Sequence, residues 1–147
     1  MDLVVKPKYA LFLWRTSWLS LLSSLYALYV NLPDMSFVSF MLYCTSLLYW
    51  SNPRYNYIRN IDITMAISSV YYHVWKAYYN EYGNIYIMKL SFIILLYPFS
   101  WYLHYKKQYW LSIYAHGLLH LIGNISNILF YNHLYKLQTI KPIIQNI

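Results

Sequence analysis

The chain has 147 residues, 60% of them apolar and only 10% charged, against about 25% charged in an ordinary soluble domain; that is too little charge to cover a water-facing surface. Aromatic residues reach 22%, led by 20 tyrosines, and Tyr and Trp favour the headgroup region of a bilayer. The net charge of +7 is spread between apolar runs, where a membrane protein carries its orienting charges, which argues against a nucleic-acid partner; the single Cys44 excludes an intramolecular disulfide and a thiolate metal cluster.

A membrane-spanning helix needs about 20 mostly apolar residues, and shorter ones are tolerated at some cost. The runs predict an all-α fold, an integral membrane up-and-down bundle of about five transmembrane helices forming one domain over 1–147. The first helix is expected over 10–30, with Arg15 snorkelling between Trp14 and Trp18. Lys6 and Lys8 ahead of it imitate a signal peptide, but no small-residue cleavage site follows, so the helix reads as retained. A turn at Asn31-Leu32-Pro33-Asp34 leads to the second helix, over 35–50, with Asp34 as its expected N-cap. Ser51-Asn52-Pro53 stops that helix, and a polar stretch containing Arg54 and Arg59 precedes the third, over 60–79. The turn Asn80-Glu81-Tyr82-Gly83 opens onto the fourth, over 84–103, which contains Pro98. Lys106 and Lys107 form a basic connection to the fifth, over 109–131, which has no formal charge, and a polar tail is expected after Asn132.

Under this topology Lys6, Lys8, Arg15, Arg54, Arg59, Lys106 and Lys107 share one side. Lys76, Lys89, Lys136 and Lys141 fall on the other with Asp34 and Glu81, where Lys76, Glu81 and Lys89 are expected to form a charge cluster. The positive-inside rule then places the N-terminus in the cytosol.

Ionisable and strongly polar groups inside a span are costly and therefore functional candidates. On the fifth helix, His116-Gly-Leu-Leu-His120 places two imidazoles on one face about a turn apart, the spacing of a bidentate metal pair. Ser112, Asn124 and Asn127 extend the same stripe, and the plainer account is that all of them hydrogen-bond neighbouring helices. Asp62 near the start of the third helix and Ser46 near the end of the second fall in the same half of the bilayer as the histidines. Taken alone, Asp62 reads as a helix N-cap or an ion pair with Arg59, and Ser46 as a back-bond to its own helix. His73, deeper on the third helix, is a candidate third metal ligand or an interhelical hydrogen-bonding group, while His104 and His133 are expected at or beyond helix ends, in solvent.

Ser46-Leu-Leu-Tyr-Trp50, then Asp62 after a short basic loop, then His116-Gly-Leu-Leu-His120 resembles the superfamily of alkaline ceramidases, adiponectin receptors and haemolysin III-type proteins. The resemblance implies a zinc site held by histidines, with Ser and Asp around a metal-polarised water, and hydrolysis of ceramide-like lipid amides. Carried over by position, Ser46 and Asp62 match the Ser and Asp, and His116 and His120 the terminal pair of ligands. His73 or Asp62 would complete the metal, and Asp62 would otherwise act as general base. A second alignment sets Ser69-Val-Tyr-Tyr-His73 on the Ser-x-x-x-His motif, but it makes the two motif helices parallel and loses the acid. The chain departs from the family at Trp50, which stands where the motif has its first His, and in being two helices short of seven. The expectation is thus a zinc-dependent lipid amide hydrolase, and its alternative is a catalytically inactive membrane protein that binds lipids or partner helices. The intramembrane charges are few and no repeats are visible, which weighs against a transporter.

Overall fold

The computed structural model describes residues 3–144, with side chains over 3–139. It is all-helical, with α1 (Pro7–Tyr29), α2 (Pro33–Ser51), α3 (Tyr57–Tyr78), α4 (Gly83–Tyr105) and α5 (Tyr109–Ile144). Outside the helices, an isolated bridge joins Leu3 to Arg54, and the Val4 N–H donates to the Pro53 carbonyl at 2.9 Å. The N-terminal segment is thereby tied to the α2–α3 connection.

Local chemistry explains most helix ends. Prolines occupy the first turn of α1 and α2, where the missing N–H costs nothing. α1 ends with Asn31 at φ 58°, and the Leu32 N–H reaches back to the Ala27 carbonyl while the Asn31 N–H reaches Leu28. Asn tolerates this left-handed conformation better than other non-glycine residues, so the turn closes without a glycine. α4 ends in the same motif at Lys107, φ 61°. α3 starts at Tyr57 because the Asn56 side chain accepts from the Arg59 N–H at 3.1 Å.

Three local expectations are corrected. The segment after Asn132 is no loose tail, because α5 continues to Ile144; that segment meets neither glycine nor proline before Pro142, and the 36 residues of the whole helix reach about 54 Å at 1.5 Å per residue. His133 therefore lies within a helix, its ring 3.9 Å from that of Tyr82. Asp34 is not an N-cap, since it sits in the first turn of α2 behind Leu32. Its carboxylate instead pairs with Lys76 Nζ at 2.7 Å and accepts from the Tyr72 hydroxyl at 2.6 Å, joining the start of α2 to the end of α3. Burial pulls that carboxyl upward, but the bonds from Lys76, Tyr72 and the Met35 N–H outweigh it and hold the group below its ordinary 3.8.

Each helix packs directly only on its neighbours in the cycle α1–α2–α3–α4–α5–α1, so the bundle is a closed ring. Short connections make consecutive helices antiparallel, and the odd number leaves α1 and α5 parallel, with Tyr9 against Trp110 and Phe12 against Tyr114. Serines on α1 allow close approach on both sides. Ser23 donates to the Asn124 side chain of α5 at 2.7 Å, while Ser24 lies 3.0 Å from the Ser36 hydroxyl of α2. Ser46 bonds Asp62 across α2–α3, and Ser100 and Tyr86 bond Ser112 and Asn127 across α4–α5. Among the described residues, the α3–α4 seam alone has no side-chain hydrogen bond across it. Its contacts are the His73–Tyr86 stack and the Arg59 guanidinium 5.8 Å from the Trp101 ring.

The outer surface is dominated by large apolar side chains, among them Leu28, Phe37, Ile67, Phe92, Leu95 and Leu129, all more than half exposed. Among the described residues, Gly83–Tyr105, with a mean hydropathy of 1.4, is the one helix that is long and apolar enough by that index to cross a membrane. The other helices mix their apolar side chains with Tyr, Ser and Asn, and these lower the index.

The turn between α3 and α4 offers a test of packing. A Cβ at Gly83 would collide with the Ala77 carbonyl, whereas one at Gly123 would meet nothing within 4 Å. Gly83→Ala should cost about 1–3 kcal/mol of stability, while Gly123→Ala should match or exceed the parent because alanine is the better helix former. Thermal unfolding followed by circular dichroism checks the contrast, and equal melting of the two variants would refute it.

Candidate functional site

The helix ring encloses a cavity of about 560 Å³ to which all five helices contribute. Ser46, Asp62, His73, His116 and His120 all line it, so the residues singled out from sequence on three separate helices share one space. Two of its wall residues, Ile67 and Ile94, are 65% and 47% exposed on the outside of the bundle. The cavity therefore opens sideways through the α3–α4 seam, where the hydrogen bonds are missing.

On one wall, the Ser46 hydroxyl donates to Asp62 Oδ1 at 2.6 Å and Thr45 adds a weaker bond to the same oxygen at 3.3 Å. Asp62 is thus neither an N-cap nor an ion-pair partner of Arg59; Asn56 performs the capping, and α2 holds the carboxylate. Ser46 likewise bonds across the helix interface rather than to its own helix.

On the α5 wall the polar stripe divides in two. Asn124 bonds Ser20 and Ser23, Asn127 accepts from Tyr86, and the Ser112 hydroxyl and carbonyl meet Ser100; for these the plainer account holds. His116 and His120 differ, because their half-buried rings, 5.2 Å apart, take no hydrogen bond from the described residues. The edge-on Trp50 ring lies 5.3 Å from His116, and Tyr97 lies 6.0 Å from it. Trp50 is 93% buried, and its indole N–H is a buried donor with no partner among the described residues.

His73 is engaged at both ring nitrogens. The Ser69 carbonyl, 2.7 Å from Nδ1, can only accept, so Nδ1 carries the proton. Nε2 then accepts from the Tyr131 hydroxyl at 2.6 Å, and the Tyr131 oxygen accepts from Ser39 at 2.9 Å. This relay joins α2, α3 and α5 across the ring and leaves His73 no lone pair for a metal.

Among the described residues, no three His, Cys, Asp or Glu side chains stand together as a metal site. The two histidines of α5 are available, but His73 is bonded elsewhere and Asp62, whose Oδ1 accepts from Ser46 and Thr45, does not stand with them as a third ligand. The three-ligand plan of a catalytic zinc is therefore not assembled by these side chains.

Sequence reasoning passed over Thr45 and Tyr131, took Arg59 as a charge that attracts anionic headgroups, and noted Trp50 only as a departure from the motif. Only Trp50 carried a signal, as the odd residue in a Ser-x-x-x-His-like motif. His104, expected in solvent, lies in the last turn of α4 and lines the cavity with Trp101.

No protein-family model, curated protein or solved structure matches the chain.

The relay predicts its own weak point. Tyr131→Phe removes the hydroxyl between Ser39 and His73 and leaves a fully buried imidazole nitrogen without a donor, which should cost about 1–3 kcal/mol. Chemical unfolding should show that loss in Tyr131→Phe and a much smaller one in the double variant Tyr131→Phe/His73→Leu, where the stranded imidazole nitrogen is gone and the Ser39 hydroxyl can turn back to a carbonyl of its own helix. Additive losses would refute the coupling.

Proposed function

We propose that this chain is a multi-pass membrane protein whose helix ring holds a lipid chain in its central cavity. The observation that carries the reading is the side opening. A cavity that faces out between two helices through Ile67 and Ile94, on a surface of exposed Leu, Ile and Phe, is placed for a ligand arriving from an apolar medium. Polar side chains turned inward and paired in hydrogen bonds across helices fit a bilayer setting as well, since lipid tails supply no partners. The low mean hydropathy of four of the helices does not oppose it, because exposed Tyr and Trp suit the interface and the serines are hidden between helices.

Alkaline carbonate extraction of membranes from cells expressing the chain tests the reading. The protein should stay in the pellet and leave it only with detergent. Release into the supernatant would sink the proposal in favour of a peripheral or soluble bundle.

A second reading, a zinc-dependent hydrolase of ceramide-like lipid amides, is favoured by one observation, the unbonded His116–His120 pair sharing a cavity with the Ser46–Asp62 pair. Metal analysis of the purified protein decides it. Near-stoichiometric zinc that disappears in a folded His116→Ala/His120→Ala variant would support the hydrolase. Metal-free protein would leave the cavity as a binding site alone.

A further inference from the structure

The cavity has a polar end and an apolar middle, and the polar end carries a buried unpaired donor beside an unpaired cation. Trp50 lies in the last turn of α2 and Arg59 in the first turn of α3, so both belong to the same end of the ring, and both line the cavity. An indole N–H can only donate, and a guanidinium has five donors and no acceptor. The Trp50 donor is buried and unpaired among the described residues. The Arg59 guanidinium rests between the Tyr55 and Trp101 rings, 5.3 Å and 5.8 Å away, and forms no ion pair with any described carboxylate. The nearest acid in sequence, Asp62, is occupied by Ser46 and Thr45.

What the Trp50 N–H and the Arg59 guanidinium lack is an acceptor, and the surrounding charge gives it a sign. Lys6 and Lys8 at the start of α1, Arg54 beside the Leu3 bridge, and Lys106 and Lys107 after α4 all stand at the same end of the bundle. Their combined field favours an anion over a neutral head. The rings beside Arg59 hold a planar fork that matches the paired oxygens of a carboxylate or phosphate. Deeper in, Ile63, Val70, Leu90, Ile93 and Leu119 provide an apolar wall for a chain. Below them His73, Tyr86 and Asn127 line the far end of the cavity.

We infer that the ligand of this cavity is a single-chain amphiphile with an anionic oxygen head, a carboxylate or a phosphate monoester, gripped by Arg59 and the Trp50 indole N–H. The inference rests on the lipid-binding reading above and adds the head group and the residues that select it. The head sits between Trp50 and Arg59 at the basic end, and the chain enters through the α3–α4 seam. Arg59 sets the preference for charge, and Trp50 adds a directional bond that a neutral alkyl head does not need.

The test measures binding of dodecyl phosphate, dodecanoate and dodecanol to the full chain in phosphatidylcholine nanodiscs, for the parent and for Arg59→Gln and Trp50→Phe. The two anions should bind about tenfold or more tightly than the alcohol, the scale of a charge-assisted hydrogen bond. Arg59→Gln should erase that preference and lower dodecanol binding far less than anion binding, since the alcohol loses only a neutral-acceptor hydrogen bond. Trp50→Phe should weaken the anions several-fold and spare the alcohol. Comparing dodecyl phosphate with dodecanoate tells which head the fork prefers. Equal binding of charged and neutral chains by the parent, or a preference that survives Arg59→Gln, would overturn the head-group assignment and leave the lipid cavity standing. Failure of all three amphiphiles to bind would overturn the cavity reading itself. Circular dichroism melts of the variants, and Arg59→Lys, which keeps the charge and loses the fork, separate a lost contact from a lost fold.

Discussion

Among the described residues, Tyr131 alone hydrogen-bonds side chains of helices that are not neighbours of its own. Helices that pack only on their neighbours have no backbone at the centre to hold them, and a ring of five would otherwise collapse or splay. The Tyr131 hydroxyl bonds His73 of α3 and stands 2.9 Å from Ser39 of α2, fixing three helices at one level. Ala27, Val30, Met35 and Phe130 pack around it as the best-buried part of the molecule. On the other side of that level Trp50 of α2 meets the His116 ring of α5 at 5.3 Å with no hydrogen bond between them, and the cavity lies there. Where the cross-tie ends, the space for a ligand begins.

The same constraint sets the division of labour among the polar groups. Groups that hold the ring are saturated, as with Asn124 against Ser20 and Ser23, Tyr86 against Asn127, and Ser46 against Asp62. Groups that line the open end are not, as with the rings of His116 and His120 and the indole N–H of Trp50. A buried donor left without a partner costs free energy that folding must supply elsewhere. Trp50 and the two histidine rings share one cavity, whereas the other buried group without a partner among the described residues, His133 Nε2, lies beside Tyr82 away from it. Asp62 illustrates the alternative fate, since the hydroxyls of Ser46 and Thr45 engage it, and Arg59 is left for something else.

Much of this arrangement was legible in the residues, though unevenly. Helix positions followed from apolar runs punctuated by Asn31–Pro33, Asn52–Pro53 and Asn80–Gly83, because breakers act locally. The end of α5 was not legible, since a polar helix with few neighbours and a solvated tail have similar compositions. Ser46, Asp62, His116 and His120 were found because polar residues in apolar runs are conspicuous, and their convergence on one cavity follows from the antiparallel run of α2 and α3. The role of His73 was not decidable, because a metal ligand and a hydrogen-bonded imidazole have the same one-letter code. Only the positions of the Ser69 carbonyl and the Tyr131 hydroxyl settle which lone pairs are free.

The sequence by itself determined the class of fold, its five helices and the stripe of polar residues on the fifth, since each depends on periodicity and breakers within a short stretch of chain. The tertiary structure decided that the helices close into a ring with α1 beside α5, that the ring opens between α3 and α4, and which polar groups are satisfied. Those outcomes depend on pairs of side chains far apart in sequence, such as Ser23 with Asn124 and Tyr131 with Ser39. No local pattern encodes such pairs, because a hydrogen bond across a helix interface is a property of two surfaces brought into contact.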